Sequence, residues 1–309
     1  MSQPGSTMSQ TVAPCGTLSE QVEGFLTRLA AEGKSPLTIA CYRRDLARLA
    51  AFAGDVPAAG ITADLLARFL VSDLALRAPD GRVRGDSAQG RMKACLRSFG
   101  RFLADVGVVG RDPASWVKVK RHPRETPAFL APAEVKRLVR AVSARKGEAA
   151  ERDRTMLMVL LNSGIRLSEL VGLDLGDVRL DEKRLLLRRV KGGAPQPRFL
   201  NTRLRAELRG YLRRRRKVLA DTEALYLSSR GRRISNRQVQ ERMRLWLAWA
   251  GLGGKITVHG LRHTFATLLY GRTKNLLLVA RALGHARVTT TQVYAHIADA
   301  ELEEALEAL

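Results

Sequence analysis

The chain has 309 residues, with 53 Lys and Arg against 30 Asp and Glu, a formal net charge of +23, and 45% hydrophobic residues. That length accommodates two ordinary domains, and the apolar content excludes an intrinsically disordered chain. The charge attracts polyphosphate partners, but a solvated basic surface like that of ribosomal or histone-like proteins explains it equally, so it points to nucleic acid and not to chemistry.

Residues 1–19 carry no charged side chain and are rich in Ser, Thr, Gly, Pro and Gln, which predicts a flexible tail. From Glu20, Val22, Phe25, Leu26 and Leu29 fall at helical spacing, and Gly33 ends the segment. Ser35-Pro36 opens a second helix by the cap-then-proline rule, with Ile39, Tyr42, Leu46 and Leu49 along one face. Thr62 to Leu76 reads as a third helix. After the turn Ala78-Pro79-Asp80-Gly81, Ser87 to Val106 reads as a fourth, with Met92, Leu96, Phe99 and Phe102 inward. These helices define an N-terminal all-α domain over 20–109. Pro113, Pro123 and Pro127, among Lys118, Lys120, Arg121 and Arg124, mark 110–127 as a linker running along a phosphate backbone.

The second domain is assigned to 128–298. Ala131-Pro132-Ala133-Glu134 opens a helix, and Arg152 to Leu161 forms another that leads to Gly164. Asp177 to Leu180, Arg184 to Val190 and Arg198 to Leu200 are strand-like and predict a small antiparallel sheet. Beyond Thr202 the chain reads as helical, interrupted by a hairpin around Ser229-Arg230-Gly231. The fold class is thus mainly α: a four-helix domain, then a mostly helical α/β domain with a minor sheet. Cys15, Cys41 and Cys95 lack metal-ligand spacing and fit reduced thiols in a cytosolic protein. No apolar run reaches the roughly 18–20 residues of a membrane helix, and no leader pattern opens the chain, so a cytoplasmic, nucleoid-associated protein without a membrane partner is expected.

The residues that carry chemistry lie in the second half. Cutting a phosphodiester without a metal requires other groups to neutralise the nonbridging oxygens, and paired guanidiniums do so with planar, bidentate hydrogen bonds. Arg166 and Arg262 are the candidates. Glu169 lies three residues after Arg166, on the same face of a helix, where it can hold the guanidinium, although a lone Arg-x-x-Glu is most often a surface ion pair. His259 and Arg262 point the same way from a helix start, so one can move protons while the other holds phosphate. His263 lacks that spacing and reads as structural. His285 follows a glycine at a helix end, and Lys191 enters a hairpin at Gly192-Gly193, from which an ammonium can reach a cleft and protonate a leaving alkoxide. Tyr294 is the candidate nucleophile, its phenolate requiring neighbouring cations or a base. Taken singly, each of these residues also has a structural or solvated explanation.

Together, Gly164 to Leu170, His259-x-Leu261-Arg262-His263, Leu283-Gly284-His285 and Thr290-Thr291-Gln292-Val293-Tyr294 resemble the motifs of the tyrosine recombinases, the phage-integrase family, and most closely its Xer-like members. Ser35-Pro36-x-Thr38 and Tyr42-x-x-Asp45-Leu46 extend the likeness more loosely to the N-terminal helices. The resemblance implies a SAM-like core-binding domain and a tyrosine recombinase catalytic domain that clamp double-stranded DNA. It implies that Tyr294 forms a 3′-phosphotyrosyl link and releases a 5′-hydroxyl, with Arg166 and Arg262 on the phosphate. Lys191 would be general acid to the 5′-oxygen, His259 would assist at the tyrosine, and His285 would donate to the phosphate. No metal or cofactor is implied, because the bond energy is kept in the phosphotyrosine.

One departure falls on the lysine hairpin, which in Xer-like relatives runs roughly Gly-Lys-Gly-x-Lys-x-Arg. Here Val190-Lys191-Gly192-Gly193-Ala194-Pro195-Gln196-Pro197-Arg198 lacks the second lysine and sets the arginine two positions later. The run Arg213 to Lys217 spreads around a helix, so two or three members at most can face DNA and partial solvation is expected. Asp299 to Leu309 is acidic, with Leu302, Leu306 and Leu309 in one stripe, and either docks on its own domain or, as the resemblance implies, packs on the next subunit of a DNA-bound homo-tetramer, with or without a second recombinase. A site-specific recombinase acting on paired sites, in chromosome-dimer resolution or mobile-element integration and excision, is the expected function. The alternatives are a type IB topoisomerase and a catalytically silent DNA-binding protein.

Overall fold

Thr17 starts the first helix, slightly ahead of the predicted start at Glu20. Its hydroxyl accepts from the Glu20 N–H at 3.2 Å, while the Glu20 carboxylate accepts from the Thr17 N–H at 2.8 Å. This reciprocal cap satisfies two otherwise orphaned donors. Leu18, predicted as tail, is therefore the first helical residue and is buried. The computed structural model describes residues 16–54, 56–119, 128–188, 195–218, 220–253 and 256–284. It divides into two units, Met1–Pro123 and Arg124–Leu309.

The first unit contains α1 (Leu18–Ala31), α2 (Pro36–Ala53), α3 (Ala63–Val71), α4 (Asp73–Leu76) and α5 (Asp86–Asp105). Ser35 caps α2 ahead of Pro36, as predicted. The predicted third helix is two. Ser72 takes an extended conformation and its hydroxyl donates to the Phe69 carbonyl at 2.7 Å, so the chain restarts at Asp73. Phe25, Leu26, Leu46, Leu49, Phe69, Leu96 and Phe99 fill the core. Asp45 is fully buried on α2 and accepts from Arg48 and, through both oxygens, from Arg91 on α5. Part of the predicted linker belongs to this core: Ala114 and Val117 are buried in it. Gly100 on α5 admits that approach, since a Cβ there would lie 2.8 Å from Ala114 Cβ.

The second unit contains α6 (Pro132–Ser143), α7 (Glu148–Ser163), α8 (Leu167–Val171), β1 (Val178–Arg179), β2 (Arg184–Leu187), β3 (Gln196–Phe199), α9 (Thr202–Arg215), α10 (Asn236–Trp249), α11 (Val258–Thr273) and α12 (Leu276–Leu283). The strands form an antiparallel sheet in the order β1-β2-β3. β3 begins two residues before the predicted Arg198 and includes Pro197, which is tolerated because β3 is the edge strand of the sheet among the described residues. α7 is the central helix: Met156 to Leu161 are all buried, and it packs on α6, α9 and α11. At its start the fully buried Asp153 accepts from Arg242 Nε at 2.6 Å and Trp246 Nε1 at 2.9 Å, which ties α7 to α10. The predicted hairpin at 229–231 is a tight turn, with Ser228 N–H donating to the Arg232 carbonyl at 2.7 Å.

Within the basic run, Arg215 is buried and donates to the carbonyls of Ala224 and Thr222, and Arg214 pairs with Glu151. Arg213, Arg216 and Lys217 are exposed, in keeping with the partial solvation expected. Among the described residues no helix is long and apolar enough to cross a membrane.

Candidate active site

The site is built where two helices end. α7 closes on Gly164 and α12 on Gly284, both in the left-handed region at φ 57° and 66°. Such a residue at the helix end is ordinarily glycine, because a Cβ crowds the backbone. At Gly164 space is also short: a Cβ would meet Phe265 Cδ1 at 2.3 Å and Leu283 Cδ2 at 3.0 Å. Gly164→Ala is expected to destabilise the second unit by about 2–4 kcal/mol, combining left-handed strain with overpacking. Denaturant unfolding of the full chain measures this, and a loss under half a kcal/mol would contradict the close packing.

Two residues beyond Gly164, Arg166 is the N-cap of α8. The buried Glu169 takes Arg166 Nη1 on Oε1 and the Arg166 backbone N–H on Oε2, both at 2.7 Å. The predicted carboxylate thus holds the guanidinium, but from the third helical position back to the cap and not along one helix face. One side chain restrains both the backbone and the tip of Arg166, whose side chain stays 34% exposed and open to a ligand.

α11 starts at Val258, with Thr257 capping the Gly260 N–H at 3.2 Å, so His259 lies in its first turn and Arg262 one turn on. Arg262 is 3% exposed. Its Nη1 donates to the Gly164 carbonyl at 2.6 Å and its Nη2 to the Leu283 carbonyl at 3.0 Å. Both acceptors lie at helix C-termini, where the partial negative charge favours a cation. Partial desolvation, then Arg262, then Arg166, lower the His259 pKa below its ordinary value. The three side chains therefore share one electrostatic field, with His259 neutral near pH 7 and able to accept a proton. His263 stands edge-on to His259, ring centroids 4.7 Å apart. A cleft of about 410 Å³ lies between Arg166, His259 and the α10 residues Gln240, Met243 and Arg244.

If neutral His259 assists cleavage, the rate should fall on its acid side only below the ordinary histidine value of about 6.5. A lowered pKa means the proton arrives at lower pH. A pH profile of single-turnover cleavage tests this, and a limb at or above 6.5 that persists in His259→Gln would assign it elsewhere.

Arg198 was not predicted to belong here. It is 5% exposed on β3 and donates from Nη2 to the Leu283 carbonyl at 3.1 Å, the same oxygen that Arg262 uses. The available signal was alternation. Arg198 pairs in register with the buried Leu185, so its side chain occupies the inward face of the sheet. Lys191 lies between β2 and β3 in the sequence, and His285 and Tyr294 follow α12. These three, with 299–309, lie outside the described residues.

Solved recombinase structures resemble this chain over most of its length. Superposition on XerH site-specific recombinase bound to palindromic difH substrate gives a TM-score of 0.70 at 22% identity, covering 93% of this chain and 84% of that one. A lambda integrase tetramer bound to a Holliday junction gives 0.67 at 18% identity, covering 88% and 78%. The fold is that of the tyrosine recombinases, mostly helical with a small antiparallel sheet beside the arginine cluster. Residues 128–301 match the phage integrase family, and the tyrosine recombinase XerC of Salmonella typhi is 35% identical over 284 residues, 91% of this chain and 92% of the relative. The chain belongs to the phage integrase family and is a tyrosine recombinase, a DNA strand-transferring enzyme.

Proposed function

We propose that this recombinase cuts each strand by attack of Tyr294 on a DNA phosphate and rejoins it to a 5′-hydroxyl from a second site. The observation that carries the reading is the placement of Arg262: a buried guanidinium set by the carbonyls of two helix ends, in one field with His259 and the Glu169-held Arg166. Arg166 and Arg262 hold the nonbridging oxygens and take up the negative charge that develops there. His259, neutral at physiological pH, receives the tyrosine proton. Lys191 protonates the leaving 5′-oxygen, and His285 donates to the phosphate. The phosphotyrosine conserves the bond energy, so the reverse attack needs no external energy source.

Four protomers exchange strands between paired sites on this reading, and the acidic segment 299–309 packs on the neighbouring subunit. The known tetramer of lambda integrase on a Holliday junction supports that arrangement. The basic charge favours a long phosphate footprint and a steep salt dependence. The exchange serves chromosome-dimer resolution or mobile-element integration and excision. The reading is tested with nicked suicide duplexes built from inverted repeats mapped in the host genome. The expected product is a covalent protein–DNA adduct formed in EDTA, with mass spectrometry placing the nucleotide on Tyr294. Binding without an adduct would leave a DNA-binding protein, and relaxation of random-sequence DNA without recombinants would indicate a topoisomerase.

A further inference from the structure

The last carbonyl of α12 receives two guanidiniums from two different elements. Arg262 Nη2 reaches the Leu283 oxygen from α11 at 3.0 Å, and Arg198 Nη2 reaches it from β3 at 3.1 Å. Arg198 is further fixed by Gln196 Oε1 at 3.1 Å and by the Pro197 carbonyl at 3.2 Å. A buried cation is unfavourable unless a specific arrangement of acceptors needs it, and an apolar side chain would match the inward face that Leu185 shares. Here the acceptor is a helix C-terminus, where the aligned peptide dipoles favour positive charge.

The backbone is shaped to admit this guanidinium. A Cβ at position 284 would lie 2.2 Å from Arg198 Nη2 and 2.3 Å from Gln196 Oε1. Gly284 therefore serves both the left-handed turn and the close approach of Arg198. A carbonyl oxygen has two lone pairs, and two donors from different directions fix both its position and its tilt. Burial lowers the Arg198 pKa, Glu169 raises it and Arg166 lowers it, so its charge also sits in the field of the Arg166–Glu169 pair.

We propose that Arg198 is a positioning residue for strand cleavage: by binding the end of α12 to β3, it holds the carbonyl against which Arg262 is set. The inference rests on Arg262 binding the scissile phosphate. Arg198 acts through Arg262, whose position is set by the Leu283 carbonyl that both guanidiniums share. Its loss should slow the chemical step and leave DNA affinity nearly unchanged.

The test uses the full-length chain with Arg198→Met, Arg198→Lys, Arg262→Lys and the double variant Arg198→Met/Arg262→Lys. Single-turnover cleavage of a suicide duplex, the duplex Kd and thermal melting are measured for each. Arg198→Met is expected to cleave roughly 30-fold more slowly with Kd within about 3-fold, and Arg198→Lys to regain part of the rate by keeping one donor on the Leu283 carbonyl. In the Arg262→Lys background, Arg198→Met should cost less than about 3-fold more, because the group it positions is already altered. If Arg198→Met melts below the assay temperature, the comparison is made with Arg198→Lys. Full-rate cleavage by Arg198→Met, or the same fold-loss in both backgrounds, would overturn the proposal. Wild-type cleavage by Arg262→Lys would instead sink the phosphate-binding reading and the inference with it.

Discussion

Tyr294→Phe is expected to bind its DNA site as tightly as the parent protein and to form no covalent adduct, a loss on the order of 10⁵-fold or more in cleavage. The substitution keeps the ring and removes only the hydroxyl that the proposed mechanism makes the nucleophile. On the proposed mechanism Arg166, His259 and Arg262 remain in place to stabilise a phosphate, but no nucleophile is left to join to it. Gel-resolved adduct formation on a suicide duplex, alongside Kd by fluorescence anisotropy, separates the two effects. An adduct in Tyr294→Phe would place the nucleophile elsewhere.

Arg262→Lys is expected to slow cleavage on the order of 10³-fold with a change in Kd of only a few fold. Removing one preorganised donor from a developing oxyanion typically costs about 10²–10³ in rate, and here the same group also organises the backbone around it. The guanidinium fork spans two carbonyls on different helices, Gly164 at the end of α7 and Leu283 at the end of α12. An ammonium on a flexible stem lacks that planar fork and cannot reproduce both bonds while facing a phosphate. Affinity should hold because it is spread over many phosphate contacts along the duplex. A variant that loses binding and cleavage in equal measure would show that Arg262 serves affinity and not the transition state.

Much of the local structure was legible in the sequence because its signals act over three or four residues. Ser35-Pro36 gave the start of α2, and Thr257 caps α11 so that His259 and Arg262 lie a turn apart. Glu169 was expected to hold Arg166 from its spacing, and it does, though through a cap geometry that spacing alone does not specify. The sheet was legible in outline from its turn residues, but not the two-residue earlier start of β3. Ser72 looked compatible with a continuous helix. Its hydroxyl competes for the Phe69 carbonyl, and the outcome depends on how α3 and α4 pack on the remaining helices. The stretch 110–127 read as linker from its prolines and charges, yet Ala114 and Val117 belong to the first core, and Gly100 on α5 leaves room for Ala114.

The class of chemistry was legible from residue types and their order. The residue types, their order and the interval from His285 to Tyr294 are covalent facts, and a resemblance carried by several separated motifs follows from them. Which charges lose water, and what they then hold, emerged from the packing of elements distant in sequence. Arg198 and Arg262 lie 64 positions apart and converge on one carbonyl from a third element, while Arg215, one of five consecutive basic residues, turns inward to cap backbone. The reason is physical: helix caps and periodicity are local, but the desolvation of a guanidinium depends on every element packed around it.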